Sequence, residues 1–324
     1  SHGGFHGAWT SMRNAFADEL TKLATEDQRV VLLSGDIGNR LFDNYKAQFA
    51  DRFLNCGVAE ANMTGVAAGL AMNGLRPITY TIAPFATTRC LEQIRDDICY
   101  HHLPAMIVGI GAGLGYAELG ATHQSLEDIA FLRALPGMTV ICPADPLEVR
   151  LAMRAALEID GPVYLRLGKK GEPAVHPEAP DFRIGKAISL RDGHDIALLS
   201  TGTILPLVIE IAKQLERQNI SAAIQHFHTV KPLDDEALTL SMLKYPLFAT
   251  IEEHSRIGGF GSAISEWMSD REIQTTRLLR FGTQDKFLRE AGGTNYARMR
   301  HGLTVENIVA RIQEATTPAD IRTG

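Results

Sequence analysis

Several residues in the first half of the chain stand where a parallel α/β sheet presents its ligands. Asp36 follows the apolar run Val30-Val31-Leu32-Leu33-Ser34. Glu60 lies in Cys56-Gly57-Val58-Ala59-Glu60-Ala61-Asn62, just before a stretch of small residues. Phe85 comes after Pro77 to Ile82, and His123 closes a Gly-rich loop that begins at Gly111. Lys169 and Lys170 follow Val163 to Leu167. A carboxyl can hold or move a proton, an aromatic ring can stack on a flat ligand, a histidine can contact reacting oxygens, and ammonium groups can hold an anion. Singly, each has an ordinary role: a Glu at a helix start offsets the helix dipole, a Phe fills a core, and a loop histidine is solvated. Together they fall at one sheet edge, and ligands of open α/β sheets lie beyond the carboxyl ends of the strands. The Gly-rich loop lacks the GxxxxGK[ST] and GxGxxG spacings, so it is a weak phosphate signal by itself.

The elements that would position these residues alternate. Met12 to Ala24 places Ala15, Phe16, Leu20 and Leu23 on one helical face. Short apolar runs predict buried strands at Val30–Ser34, Pro77–Ile82, Ala105–Ile110, Thr139–Cys142 and Val163–Leu167. Helices are expected at Asn62–Met72, Thr87–Tyr100, Leu126–Leu135 and Leu147–Glu158. Strands separated by helices imply right-handed crossovers and a mainly parallel, doubly covered sheet. Lys169 to Pro180 carries Pro173, Pro177 and Pro180 and breaks the rhythm as a linker would. A second, shorter series follows, with strands at Ile196–Ser200, Ala222–His226 and Leu247–Ile251 and a helix at Leu205–Gln218. The fold class is α/β with two parallel-sheet domains, at residues 10–175 and 186–324, joined by a linker at 176–185.

Composition narrows the class. The 324 residues are 45% hydrophobic and 22% charged, which excludes a disordered chain. The formal charge of −6 and the lack of a Lys/Arg run argue against a nucleic-acid surface. Cys56, Cys90, Cys99 and Cys142 form no CxxC pair, against a zinc site or disulfide framework and in favour of a reducing, cytoplasmic location. No apolar run reaches membrane-spanning length. Ser1 to Thr10, rich in Gly and His, read as a flexible leader, in part a cloning remnant, and lack the apolar stretch of a signal peptide.

At the candidate residues the sequence resembles the transketolase family. Gly57-Val58-Ala59-Glu60-Ala61-Asn62-Met63 is similar to the glutamate motif of its pyrimidine-binding domain. Thr81-Ile82-Ala83-Pro84-Phe85 resembles its Thr-Phe-x-x-Phe element, and Gly120-Ala121-Thr122-His123-Gln124 its Gly-Pro-Thr-His-Gln loop. Pro136 to Val140, Pro143-Ala144-Asp145, Ile251 to His254 with Gly258 to Gly261, and His301 to Ile308 follow in family order. The likeness begins near Met12. The resemblance implies thiamine diphosphate and Mg²⁺ as cofactors, and transfer of a two-carbon ketol unit from a ketose phosphate to an aldose. It also implies the roles. Glu60 would donate a hydrogen bond to N1′ of the aminopyrimidine, favouring the imino tautomer that removes the C2 proton. Such a carboxyl needs a raised pKa, which a desolvated pocket can provide. Phe85 would stack on the pyrimidine with Ile82 beside it, and Asp36 would lie near the thiazolium. His123 would contact substrate oxygens. Arg13 and Lys169 would hold the sugar phosphate, Lys169 standing where the family has Arg.

What departs from the family is informative too. The family's Gly-Asp-Gly motif for metal and diphosphate is absent; Gly35-Asp36-Ile37-Gly38 belongs to another part of the fold. The resemblance therefore implies the C-terminal subunit of a split transketolase. A separate N-terminal diphosphate-binding subunit would hold the metal, in an α2β2 assembly, and this chain would supply no metal ligand. The acceptor-recognising Asp of the family falls on Leu119, with Glu118 beside it. An earlier substrate histidine falls on Gly111, and a Ser near the phosphate falls on Arg40, where an added cation suits a more anionic acceptor. Other readings are the β subunit of a 2-oxo-acid dehydrogenase decarboxylase, a deoxyxylulose-phosphate-synthase-like enzyme, and a non-catalytic subunit on the same fold.

Overall fold

The computed structural model describes residues 11–316 apart from Asn39 and Lys170. The expected leader, and the second lysine of the Lys169-Lys170 pair, lie outside the described residues. Among the described residues, twelve strands form two sheets. The first sheet contains β1 (Val30–Ser34), β2 (Phe53–Asn55), β3 (Arg76–Ile82), β4 (Met106–Ile110), β5 (Thr139–Ile141) and β6 (Val163–Leu167). The second contains β7 (Ile188–Arg191), β8 (Ile196–Ser200), β9 (Ala222–His226), β11 (Leu247–Ser255) and β12 (Arg277–Thr283). The remaining strand, β10 (Thr229–Lys231), comes from the second half of the chain but pairs antiparallel with β5.

The first sheet runs β10-β5-β6-β4-β3-β1-β2. Its register sets Ser34 opposite Tyr80, Tyr80 opposite Val108 and Val108 opposite Leu165. From β1 the chain winds outward to β2, then returns to β3 on the other side. The switch point of the sheet therefore lies between β1 and β3, where doubly wound sheets leave a crevice for ligands. β1, β4 and β6 are buried along their whole length, which is why they read as unbroken apolar runs.

The helix Met12–Glu26 starts at Ser11, whose Oγ accepts from the Asn14 N–H at 3.3 Å. Its Met12, Ala15, Phe16, Leu20 and Leu23 pack on β1, β3 and the helix Pro146–Leu157. Phe16 stacks on Tyr80 at 5.2 Å and Phe42 meets the same ring edge-on at 4.9 Å. Two fixed rings thus lock Tyr80 near the end of β3. The helix Glu60–Met72 lays Met63 and Ala67 against Val31 and Leu33. Its small residues allow close approach to the sheet.

The second sheet runs β12-β11-β8-β9-β7, parallel except for β7. The helices Leu205–Glu216 and Val305–Thr316 cover one face. On the other, Phe260, Ile264, Trp267 and Met268 of the helix Phe260–Asp270 join a core that continues into the first sheet through Val140 and Cys142. Thr87 to Tyr100, expected as one helix, is broken into 3₁₀, α and π turns.

Candidate functional site

Crossing from β1 to β3, the chain places the expected residues around the switch point. Glu60 opens its helix and is only 2% exposed. Asp36 is exposed after β1 in a left-handed conformation, φ +58°. The Asn55 side chain holds it there by donating to Asp36 Oδ1 at 2.9 Å. Gly35, between β1 and Asp36, has no room for a side chain. A Cβ there would stand 3.0 Å from Thr81 Oγ1 and 3.4 Å from Glu60 Cγ. Ile82 ends β3 half-buried, and Phe85 follows one turn later, also half-buried.

A chain of contacts runs outward from Glu60. Arg89 Nη1 donates to Glu60 Oε2 at 2.9 Å. The same guanidinium lies over the Phe85 ring, 4.0 Å from its centroid. Phe85 meets His123 edge-on at 5.2 Å, and His123 meets Tyr116 at 6.3 Å. The Lys169 ammonium sits over the Tyr116 ring at 4.5 Å and is ion-paired with Glu118. Arg13 enters from the first turn of its helix beside Tyr80. Burial pushes the Tyr80 phenol well above its usual range, and the Arg13 guanidinium opposes that shift.

The arrangement brings together Glu60, Phe85, His123 and Lys169, with Ile82 and Asp36 at the same edge and Arg13 reached through Tyr80. Arg40 stands apart on an exposed turn before the helix Asp43–Gln48, with no ion-pair partner among the described residues. Arg89 and Tyr116 are additions to the set the sequence suggests. Arg89 follows no spacing rule relative to Glu60. Gly111 carries a hint of Tyr116, because a Cβ at Gly111 would lie 2.0 Å from Tyr116 Cε2. The tyrosine ring fills the space over Gly111.

The loop carrying His123 is clamped at both ends. Gly113 and Ser125 exchange backbone hydrogen bonds at 2.9 and 3.0 Å. The Leu114 N–H donates to Glu253 Oε1 at 2.8 Å, and Arg298 Nε donates to Glu253 Oε2 at 2.6 Å. Thr294 Oγ1 donates to the Leu114 carbonyl at 3.1 Å. Residues of the second half of the chain therefore fix a loop of the first. Gly113, at φ +65°, lets Glu253 approach, since a Cβ there would come within 2.5 Å of Glu253 Oε1.

The edge is also rich in unmet polar atoms. Arg13 Nε, Tyr80 Oη, Thr81 Oγ1 and Gln124 Nε2 are buried without a hydrogen bond of normal geometry. Buried polar groups are rarely left so; Arg13 and Tyr80 face each other, and Thr81 and Glu60 both border the space over Gly35. A buried carboxyl, a stacking ring and orphaned donors suit an aminopyrimidine and a polyhydroxylated substrate. Among the described residues no group of three or more His, Cys, Asp or Glu side chains could hold a metal ion, and no helix is long and apolar enough to cross a membrane.

Comparison with known proteins gives consistent results. Residues 9–172 match the transketolase pyrimidine-binding domain, and residues 185–308 match the transketolase C-terminal domain. The chain is 37% identical over 312 residues to a 6-deoxy-6-sulfo-D-fructose transketolase subunit of Clostridium sp. (strain MSTE9), covering 96% of each chain. It is 33% identical over 264 residues to an apulose-4-phosphate transketolase subunit of Phocaeicola vulgatus, covering 81% of this chain and 84% of the relative. A solved structure described as a split-gene transketolase, inactive β4 tetramer, superposes with a TM-score of 0.86 at 36% identity, covering 96% of this chain and 99% of the other.

Proposed function

Because the chain belongs to the transketolase family, we propose that it is the C-terminal subunit of a split transketolase, active with an N-terminal diphosphate-binding subunit in an α2β2 assembly. The observation that carries this reading is Glu60, buried at the switch point and linked to Phe85 through the Arg89 guanidinium. We keep the division of the chain at residues 10–175, 176–185 and 186–324 as part of the proposal, with a cytoplasmic location suggested by four free cysteines.

In this reading Glu60 offers its carboxyl to the pyrimidine N1′, and Phe85 and Ile82 flank the ring. Asp36 faces the thiazolium side. Thiamine diphosphate, bound with Mg²⁺ on the partner subunit, would supply a carbon that becomes nucleophilic once its proton is removed. His123, held by the clamped loop, contacts the sugar oxygens. Lys169 and Arg13, with Arg40 further out, hold an anion at the far end of the sugar. The relatives above are named for a sulfo sugar and a sugar phosphate, which supports an anionic substrate here. Tyr116 in place of a histidine side chain over Gly111 narrows this end of the pocket.

Calorimetry separates the parts of the proposal. The isolated chain is expected to show no tight Mg²⁺-dependent binding of thiamine diphosphate, whereas the assembly purified with its partner binds it. The assembly should convert xylulose 5-phosphate and ribose 5-phosphate without oxidation or release of CO₂. Micromolar binding by the isolated chain would overturn the two-chain reading, and CO₂ release from a 2-oxo acid offered in place of the ketose would favour the decarboxylase alternative.

A further inference from the structure

Two of the side chains assigned to the aminopyrimidine, Glu60 and Phe85, are already engaged by one group. Arg89 Nη1 donates to Glu60 Oε2 at 2.9 Å, and its guanidinium carbon lies 4.0 Å from the centre of the Phe85 ring. A flat, nitrogen-rich cation thus hydrogen-bonds the carboxyl and stacks on the aromatic ring, the two contacts that an aminopyrimidine would make. The geometry points to Arg89 as a stand-in for the cofactor's pyrimidine. We propose that it covers Glu60 and Phe85 in the free chain and swings out when the cofactor enters. The inference rests on the cofactor reading above and adds to it a gate built from this chain alone.

Three features support an exchange rather than a fixed structural pair. Arg89 is 44% exposed at its side chain while Glu60 is 2% exposed, so the arginine has a route to solvent and the glutamate does not. Arg89 lies in the first turn of the irregular segment Thr88–Cys99, where 3₁₀, α and π turns succeed one another and the backbone is not locked into one helix. The guanidinium occupies Glu60 Oε2 and lies over the Phe85 ring at once, the space that a stacked pyrimidine would need. Nearby, Cys90 Sγ reaches the Phe85 carbonyl at 3.1 Å and Thr64 Oγ1 donates to the Glu60 carbonyl at 2.9 Å. These contacts hold the backbones of Phe85 and Glu60 whichever way Arg89 points. The surface under the guanidinium is therefore preformed. The gate would leave Glu60 paired while no cofactor is present, so the free subunit carries no uncompensated buried carboxylate.

The test needs no partner subunit. The probe is 4-amino-5-hydroxymethyl-2-methylpyrimidine, which has the cofactor's ring but no diphosphate. It is titrated by ligand-observed NMR against the full chain, Arg89→Ala and Arg89→Ala/Phe85→Ala, with thermal melts confirming that each is folded. A site covered nine-tenths of the time binds about tenfold more weakly than the open site. Arg89→Ala should therefore bind at least about tenfold more tightly than wild type, and the double variant should lose that gain. If Arg89→Ala does not fold, Arg89→Lys serves instead, because lysine keeps the charge but lacks the planar fork; a severalfold gain is expected. Equal binding by wild type and the arginine variant, tighter binding by wild type, or no binding by either would overturn the gate. Proton exchange at C2 of thiamine diphosphate in the assembled wild-type enzyme reports the cofactor reading separately. Normal exchange with a flat titration would sink the gate alone, whereas absent exchange would sink the reading beneath it.

Discussion

Two polar regions of the molecule lie within one loop of each other and are built in opposite ways. At the junction of the two halves, Arg166 is 5% exposed and Asp128 is fully buried. Arg166 Nε donates to Asp128 Oδ2 at 2.8 Å, and Tyr164 Oη donates to the same oxygen at 2.6 Å. Arg166 Nη2 adds the Ser125 and Glu253 carbonyls at 3.1 and 3.0 Å. At the candidate site, by contrast, Thr81, Tyr80, Arg13 and Gln124 each leave a buried polar atom unmet. The junction is complete within this chain; the site is not. Where polar groups are all satisfied they fix geometry; open ones also occur in the second half of the chain, at His228, Thr283 and His301, so the contrast rests on the completeness of the junction.

Breaking the junction should cost stability, and breaking the site should cost function. The largest expected effect on stability is at Arg166. Arg166→Met leaves Asp128 buried without its cation, and loss of one partner of a buried pair costs about 3–5 kcal/mol. Urea denaturation should show it, while Glu60→Gln should change the unfolding free energy by no more than about 1 kcal/mol, because its partner Arg89 is half-exposed. Equal losses would erase the distinction between the two regions.

The next effect sharpens the site's outer end. Lys169→Ala removes a charge-assisted hydrogen bond worth about 1.5–3 kcal/mol, so kcat/KM for erythrose 4-phosphate should fall roughly tenfold to a hundredfold. Erythrose, with no anion to lose, should be much less affected, whereas His123→Ala should slow both acceptors. An equal loss for both acceptors in Lys169→Ala would rule out an anion role there.

The smallest effect concerns a second satisfied cluster, which ties the proposed linker to the helix Pro146–Leu157. His176 Nε2 and Glu148 Oε1 are 2.6 Å apart, and the His176 N–H donates to Asp145 Oδ2 at 3.1 Å. Burial by itself would lower the His176 pKa, but the hydrogen bond to Glu148 and the charges of Glu148 and Asp145 raise it overall. Burial would likewise raise Glu148, yet the His226 charge and hydrogen bonds from His176, His226 and the Ala144 N–H hold it well below the usual carboxylate range. A histidine raised on folding contributes stability that is full below its unfolded value near 6.5 and lost as pH climbs through the folded value. The depressed glutamate contributes above its ordinary value and loses that only as pH falls through its folded value. His176→Ala should therefore cost about 1 kcal/mol at pH 6 and less at pH 8.5. A melting-temperature gap that widens with pH would contradict this.

Much of this is legible in the residues. Buried runs such as Val30–Ser34 and Val163–Leu167 announce parallel strands, and the loops after such strands give Asp36, Phe85, His123 and Lys169, whereas Glu60 shows by its place before a stretch of small residues. The exposed strand β2 and the part-exposed β7 and β12 are not legible in this way, because they lack an unbroken apolar run. β10 cannot be placed from sequence because its partner β5 lies 88 residues earlier, Thr229 facing Ile141. Arg89 and Tyr116 depend on side chains folding back across the site, and Glu253 reaches a loop 139 residues away. No local pattern encodes such meetings.

The role assigned to Glu60, activation of the cofactor in an assembled enzyme, can be measured directly. Exchange of the thiamine C2 proton with deuterium, followed by NMR in the assembly of this chain with its partner subunit, reports that step before any sugar is present. Glu60→Gln keeps the size and burial of the side chain but cannot act as the acid. Exchange is expected to fall on the order of a hundredfold or more, with assembly unchanged. Exchange in Glu60→Gln that stays near the wild-type rate would contradict the role.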